Sequence, residues 1–117
     1  MDGTHTLPKR ERLQHCYQFR QAYEQGRKLT GRFLVLYAVK NPSVSGALGV
    51  VTSRKIGGAV KRNRARRLLR ESYRLHKNKL KDGLQIVMVA RSAIDGKAFA
   101  EVENDVLRVF GTAGILK

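Results

Sequence analysis

Disulfide chemistry is closed to this chain, whose single cysteine, Cys16, has no partner within the molecule. Histidine is nearly as scarce: His5, His15 and His76 lie far apart and, with one thiol, do not make up the ligand set of a structural zinc site. Tryptophan is absent and proline occurs twice. No apolar run approaches the roughly 20 residues of a membrane-spanning helix. Residues 1–10 hold no hydrophobic block of the kind a secretory signal carries. A cytoplasmic protein is expected. The recurrent catalytic patterns are missing too: there is no GxxxxGK[ST] phosphate loop, no HExxH and no GxSxG elbow. The largest shortage is of acid, nine Asp+Glu against 24 Lys+Arg in 117 residues, a formal net charge of +15.

Hydrophobic residues make up 42% of the chain, enough for a folded core, and the length fits one domain over residues 1–117. So large a positive excess repels itself and calls for a polyanionic partner. Nucleic acid is favoured over an anionic membrane, because no segment joins a basic face to a bulky Trp/Phe/Leu face. The charge is also localised. Residues 54–81 contain 12 basic residues and one acid, Glu71, whereas residues 82–117 contain four basic and five acidic residues. Such concentration is a binding footprint rather than a uniformly basic surface.

Residues 1–11 lack periodicity and read as a flexible arm. Cys16, Phe19, Ala22 and Tyr23 have helical spacing, which predicts a short helix ending near Gly26. Residues 33–40 read as a strand, with residues 27–32 extending it or adding a short strand. A turn at residues 41–46 leads to a strand over 47–52, antiparallel to the first. After the Gly57-Gly58 break, a long helix is predicted from 59 to 77. Ala65, Leu68, Leu69, Ser72, Tyr73 and His76 form its core stripe, with Asn63, Arg66, Arg67, Arg70, Arg74 and Lys77 on the opposite side. Residues 84–90 are almost continuously apolar, as a buried central strand would be. Phe99, Val102, Val106, Val109 and Phe110 mark a last amphipathic helix, after which Gly111 and Gly114 loosen residues 111–117. The order implies an α+β sandwich, three helices against a small mixed sheet.

Lys61, Arg62, Arg64, Arg66, Arg67 and Arg70 crowd ten residues with no acid before Glu71. The ordinary fate of a charge run is a solvated face. Here, repulsion at i, i+3 and i+4 opposes the helix unless a polyanion neutralises it. The preference for Arg suits bidentate phosphate contacts, and Gly57-Gly58 lets backbone N–H groups approach phosphates at the helix start. None of the five C-terminal acids stands at a spacing that pairs with this helix. Cys16 and His76 are read as core or boundary residues rather than catalytic groups. Phe19 and Tyr23 share a helix face, and Phe33, Val35 and Tyr37 share a strand face. Aromatics at regular spacing are ordinarily core. With Arg20, Arg32, Arg54 and Lys55 nearby they also suit a stacking surface for single-stranded RNA, and the residues alone leave the two readings level.

Residues 56–70, with Arg62-Asn63-Arg64 opening a long helix, resemble the signature of the bacterial ribonuclease P protein subunit. The resemblance runs collinearly over roughly residues 9–110. It takes in Arg12, Leu13, Phe19, Tyr23 and Gly26, then residues 32–37, then residues 86–91. It implies a fold like that of ribosomal proteins, with a left-handed strand–helix–strand crossover where the usual rule predicts a right-handed one. It implies an endonuclease whose catalyst is an RNA subunit, so that no residue of this chain is catalytic. Mg²⁺ is then required through the RNA, with no cofactor or metal held by the protein. It implies two partners, that catalytic RNA and precursor tRNA, whose 5′ leader is removed to give the mature end. Lys61, Arg62, Asn63, Arg64, Arg66, Arg67 and Arg70 would contact the RNA subunit. Phe19, Tyr23, Arg32, Tyr37, Arg54, Lys55 and Arg91 would bind the leader, in a cleft between the first helix and the sheet. Where the family often has Phe, this chain has Tyr23. The alternatives are a stand-alone RNA-binding protein of ribosomal type and a protein nuclease with an unrecognised site.

Overall fold

The structure, a computed structural model, describes residues 16–41 and 46–117. Its organising element is the apolar run Leu84–Ala90 (β4), which is hydrogen-bonded on both sides and buried on both faces. On one side it pairs antiparallel with Leu34–Lys40 (β2), in the register Leu36↔Met88 and Tyr37↔Val87. On the other it pairs parallel with Ala47–Val51 (β3). Arg27–Thr30 (β1), a short strand of its own, pairs antiparallel with the outer edge of β2, giving the order β1-β2-β4-β3. As expected, β3 runs opposite to β2, but the two are not neighbours. A parallel pair needs a crossover connection, and the helix Ala59–His76 (α2) supplies it, carrying the chain from β3 to β4.

Alternation along the strands divides the apolar residues between two layers. Leu34, Leu36, Leu48, Ile86 and Met88 face a core completed by Ala65, Leu69 and Tyr73 of α2 and by Val102, Val106, Val109 and Phe110 of the last helix, Phe99–Ala113 (α3). The first helix, Cys16–Gln25 (α1), covers the other face, where Ala22 meets Ala47 and Val87. Of the expected stripe on α2, Ala65, Leu69, Ser72 and Tyr73 are buried. His76 sits at the boundary, its Nε2 2.8 Å from Glu103 Oε2 on α3. The side chain of Cys16 and the expected arm at residues 1–11 lie outside the described residues, as does most of the turn after β2.

Two expectations are overturned. Phe33 does not share a face with Val35 and Tyr37. It precedes β2 in a bend, where its backbone N–H donates to Asp105 Oδ2 (2.9 Å), and its ring joins the core on the α3 side. The C-terminus is not loose either. Gly111 is helical, Gly114 closes α3 at φ 71°, and Ile115 beyond it is buried. Leu116 then bridges to Leu80, while Lys117 N–H donates to the Lys79 carbonyl at 2.8 Å. Backbone pairing of this kind leaves no trace in local composition.

Candidate nucleic-acid interface

α2 begins at Gly58 with no side-chain cap and no acid in its first turn. Its N-terminal end therefore carries the positive pole of the helix dipole beside its own cations. Lys61, Asn63, Arg67 and Arg70 are exposed, whereas Arg62, Arg64 and Arg66 are half-buried. Arg64 Nη2 donates to the Lys97 carbonyl (2.6 Å). Arg66, expected opposite the core, reaches back to the sheet: Nη1 donates to Thr52 Oγ1 (2.7 Å) and Nη2 to Asn63. These contacts hold the Arg-Asn-Arg turn against the end of β3 and the segment before α3. Arg62 Nε is buried with no acceptor among the described residues. No spacing singles out an acid for this helix, yet the fold brings two: besides Glu103 at His76, Asp95 Oδ2 lies 3.2 Å from Lys61 Nζ. The pair is 34 residues apart in sequence, beyond the reach of any spacing rule.

The second cluster lies on the α1 side of the sheet. The rings of Tyr23 and Tyr37 meet edge to face, centroids 4.8 Å apart and planes at 83°. Burial, and then the neighbouring Tyr37, push the Tyr23 hydroxyl above its ordinary pKa. Phe19 packs beside them against Ala22, Ala47 and Val87, and Val39, Val51 and Val89 are only partly covered. Tyr23 is 42% exposed, well above a core aromatic. Arg54 and Lys55 occupy an exposed turn just after β3, closed by Ile56 N–H to the Ser53 carbonyl (3.1 Å). Arg91, directly after β4, donates from Nη1 to the Gly31 carbonyl (2.7 Å). Arg32, expected in the leader cleft, is not brought into this cluster: it lines a pocket on the α3 side of the sheet with Phe33 and residues of α3.

Sequence reasoning missed three contributors. Lys28 is the register partner of Tyr37 across β1–β2, and its ammonium lies 5.9 Å from that ring. Gln85, 1% exposed, donates to Gln21 of α1 (3.1 Å) and accepts from Asn41 (3.2 Å), tying α1 to the sheet. Asp105, 4% exposed, accepts from Phe33 N–H and Arg108. Its position between Val102 and Val109, on the apolar face of α3, was the available signal. Among the described residues no three His, Cys, Asp or Glu side chains gather as a metal site, and no helix is long and apolar enough to cross a membrane.

A cationic helix end and a half-covered aromatic sheet face offer phosphate contacts and base stacking, which together suit RNA. Comparison with known proteins agrees. Residues 7–114 match the family Ribonuclease P. The ribonuclease P protein component of Clostridium acetobutylicum is 36% identical over 92% of each chain, and that of Syntrophomonas wolfei 37% identical over 93% of this chain and 92% of its own. The solved RNase P protein of Staphylococcus aureus superposes with TM-score 0.83 at 26% identity, covering 92% of this chain and 98% of that one. For the Thermotoga maritima RNase P protein the TM-score is 0.75 at 29% identity, over 84% and 93%. In sequence and in fold alike, this chain belongs to the ribonuclease P protein family.

Proposed function

We propose that this chain, a protein component of the ribonuclease P holoenzyme, binds two RNA elements at once. The exposed side of α2 and the start of that helix take the catalytic RNA, and the aromatic face beside α1 takes the 5′ leader of precursor tRNA. The observation that carries this reading is the half-open sheet face, where Tyr23, Tyr37 and Phe19 form an aromatic surface with the Lys28 ammonium over the Tyr37 ring. An extended strand laid there would stack its bases on the rings, each contributing about 1–3 kcal/mol. Arg54, Lys55 and Lys28 supply charge for its phosphates, and Arg91 braces the turn before β2. Arg62, Asn63, Arg67 and Arg70 present the catalytic-RNA surface, with Lys61 beside Asp95, while Arg64 and Arg66 fix its geometry. Hydrolysis belongs to the RNA and the Mg²⁺ it holds. The protein's part is to raise affinity for substrates that carry a leader.

Leader cleavage is the direct test. With catalytic RNA at limiting Mg²⁺, the chain should stimulate cleavage of precursor tRNA, and alone it should cleave nothing. Arg62→Ala with Arg64→Ala should weaken binding to the catalytic RNA and reduce the slope of log K against log salt by about one unit or more. An unchanged slope would remove phosphate contacts from this turn.

A further inference from the structure

The bend between β1 and β2 rests on one stripe of α3, and the two enclose a pocket of about 330 Å³. Arg32 and Phe33 line it from the bend; Glu101, Asn104, Asp105 and Arg108 line it from α3, at i, i+3, i+4 and i+7 of one helix face. Its walls are fixed. Asp105 Oδ2 accepts from Phe33 N–H at 2.9 Å and Oδ1 from Arg108 at 2.8 Å. Gly31 passes so close that a Cβ there would lie 2.6 Å from Asp105 Oδ2 and 2.8 Å from Val109 Cγ2. The bend is seated on the helix with no room for a side chain between them.

Other groups around this pocket are not consumed by the fold. The side chains of Arg32 and Asn104 make no hydrogen bond or ion pair among the described residues. Glu101 uses Oε2 on Ala98 N–H (2.9 Å), leaving its other oxygen. The half-buried Phe33 ring packs on the core, and the Lys97 ammonium stands over it, 5.9 Å from its centre, in a cation–π contact that a stacking base would displace. An aromatic ring, a carboxylate, an amide and two guanidinium groups have a chemical complement. A planar base stacks on the ring. Guanine presents adjacent N–H donors to a carboxylate on one edge, and O6 and N7 acceptors to Arg on the other. Uracil and adenine lack that combination. The volume is at the lower end for ligand sites, which suits one base rather than a run of them.

We propose that this pocket binds a single unstacked guanine nucleotide, its base on Phe33, its donor edge on Glu101 and Asn104, and its acceptor edge toward Arg32 and Arg108. It lies on the α3 side of the sheet, away from the Tyr23–Tyr37 face, and so is a site separate from the two RNA surfaces above. The guanine can belong to an RNA strand or to a free nucleotide.

Titration of the full ¹⁵N-labelled chain with GMP, UMP and inorganic phosphate, followed by NMR, tests the site. GMP should move the amide signals of Phe33, Asn104 and Arg108 saturably, and UMP and phosphate at equal concentration should not. Phe33→Leu, which keeps an apolar side chain but loses the ring, should weaken GMP roughly tenfold. Asn104→Ala, at an exposed position that threatens no packing, should weaken it roughly fivefold. Displacement of GMP by the RNA hexamer UUGUUU at lower concentration than by UUUUUU assigns the guanine to a strand; equal weak displacement by both assigns it to a free nucleotide. Equal responses to GMP and UMP, the same shifts with phosphate alone, or shifts confined to residues 62–70 would overturn the proposal. No catalytic RNA or tRNA enters the titration, so this outcome and that of the leader-cleavage assay are read separately.

Discussion

The two faces of one sheet are used in opposite ways. Toward α2 and α3, Leu34, Leu36 and Met88 are 0% exposed and meet Phe110, also 0% exposed. Toward α1, Ala22, Ala47 and Val87 are buried, while Phe19, Tyr37, Val39, Val51 and Val89 remain partly open. Alternate residues of the same strands supply both faces, so the difference comes from what covers them. Two helices of 18 and 15 residues close one side, whereas a helix of 10 residues covers only part of the other. Among the described residues, apolar surface on this side that folding would ordinarily bury is left available to a partner.

That contrast is open to breakage. The largest effect is expected on the sealed face. Phe110→Ala should cost about 3–5 kcal/mol of stability through the cavity it leaves, measured by urea unfolding. Phe19→Ala should do the reverse, changing stability less and lowering affinity for leader-bearing tRNA by about 1–3 kcal/mol with little change for mature tRNA. Should the two variants lose equal stability, the two faces would be equivalent and the α1 side simply core.

Asp105 sharpens the comparison, because it pins the bend at Phe33 onto the sealed side. Burial by itself raises its pKa, but the hydrogen bonds from Phe33 N–H, Arg108 and Arg32 N–H outweigh that and hold it below its ordinary value. A carboxylate whose folded pKa is depressed contributes stability above its unfolded pKa and loses it as pH falls through the folded one. Asp105→Asn should therefore cost about 1–3 kcal/mol at neutral pH. The gap to the parent should narrow below about pH 4, as read by thermal melts across a pH series. A gap independent of pH would assign the effect to packing. The smallest effect belongs to the surface: Asp95→Ala removes the exposed partner of Lys61 and should change stability by less than about 1 kcal/mol. A larger loss in low-salt melts would make the Lys61 contact part of the frame and not of the RNA surface.

Much of this was legible beforehand. The helical spacing of Ala65, Leu68, Leu69, Ser72, Tyr73 and His76 marked the core stripe of α2, of which Ala65, Leu69, Ser72 and Tyr73 are buried and Leu68 and His76 lie at the boundary. The unbroken apolar run at 84–90 marked a central strand, since only a strand covered on both faces dispenses with polar alternation. Phe33 misled because period two was extended one residue beyond the strand. Its hydrogen bond to a carboxylate 72 residues away takes it out of the alternation. Arg66 misled because a helical wheel ranks faces by apolarity and does not know that Thr52 stands beside the helix.

Spacing between near neighbours was enough to mark α1, α2 and the strands β2, β3 and β4, though not the end of α3, where Gly111 is helical. By itself the sequence also determined that 12 of 24 cations fall within residues 54–81, which is a count along the chain. Packing of the layers placed β4 between β2 and β3, paired the C-terminal residues with the segment before β4, and brought Asp95 to Lys61. Each of these joins groups distant in sequence, and their proximity is set by how the layers pack rather than by any local preference. The same packing made one face of the sheet a core and left the other open.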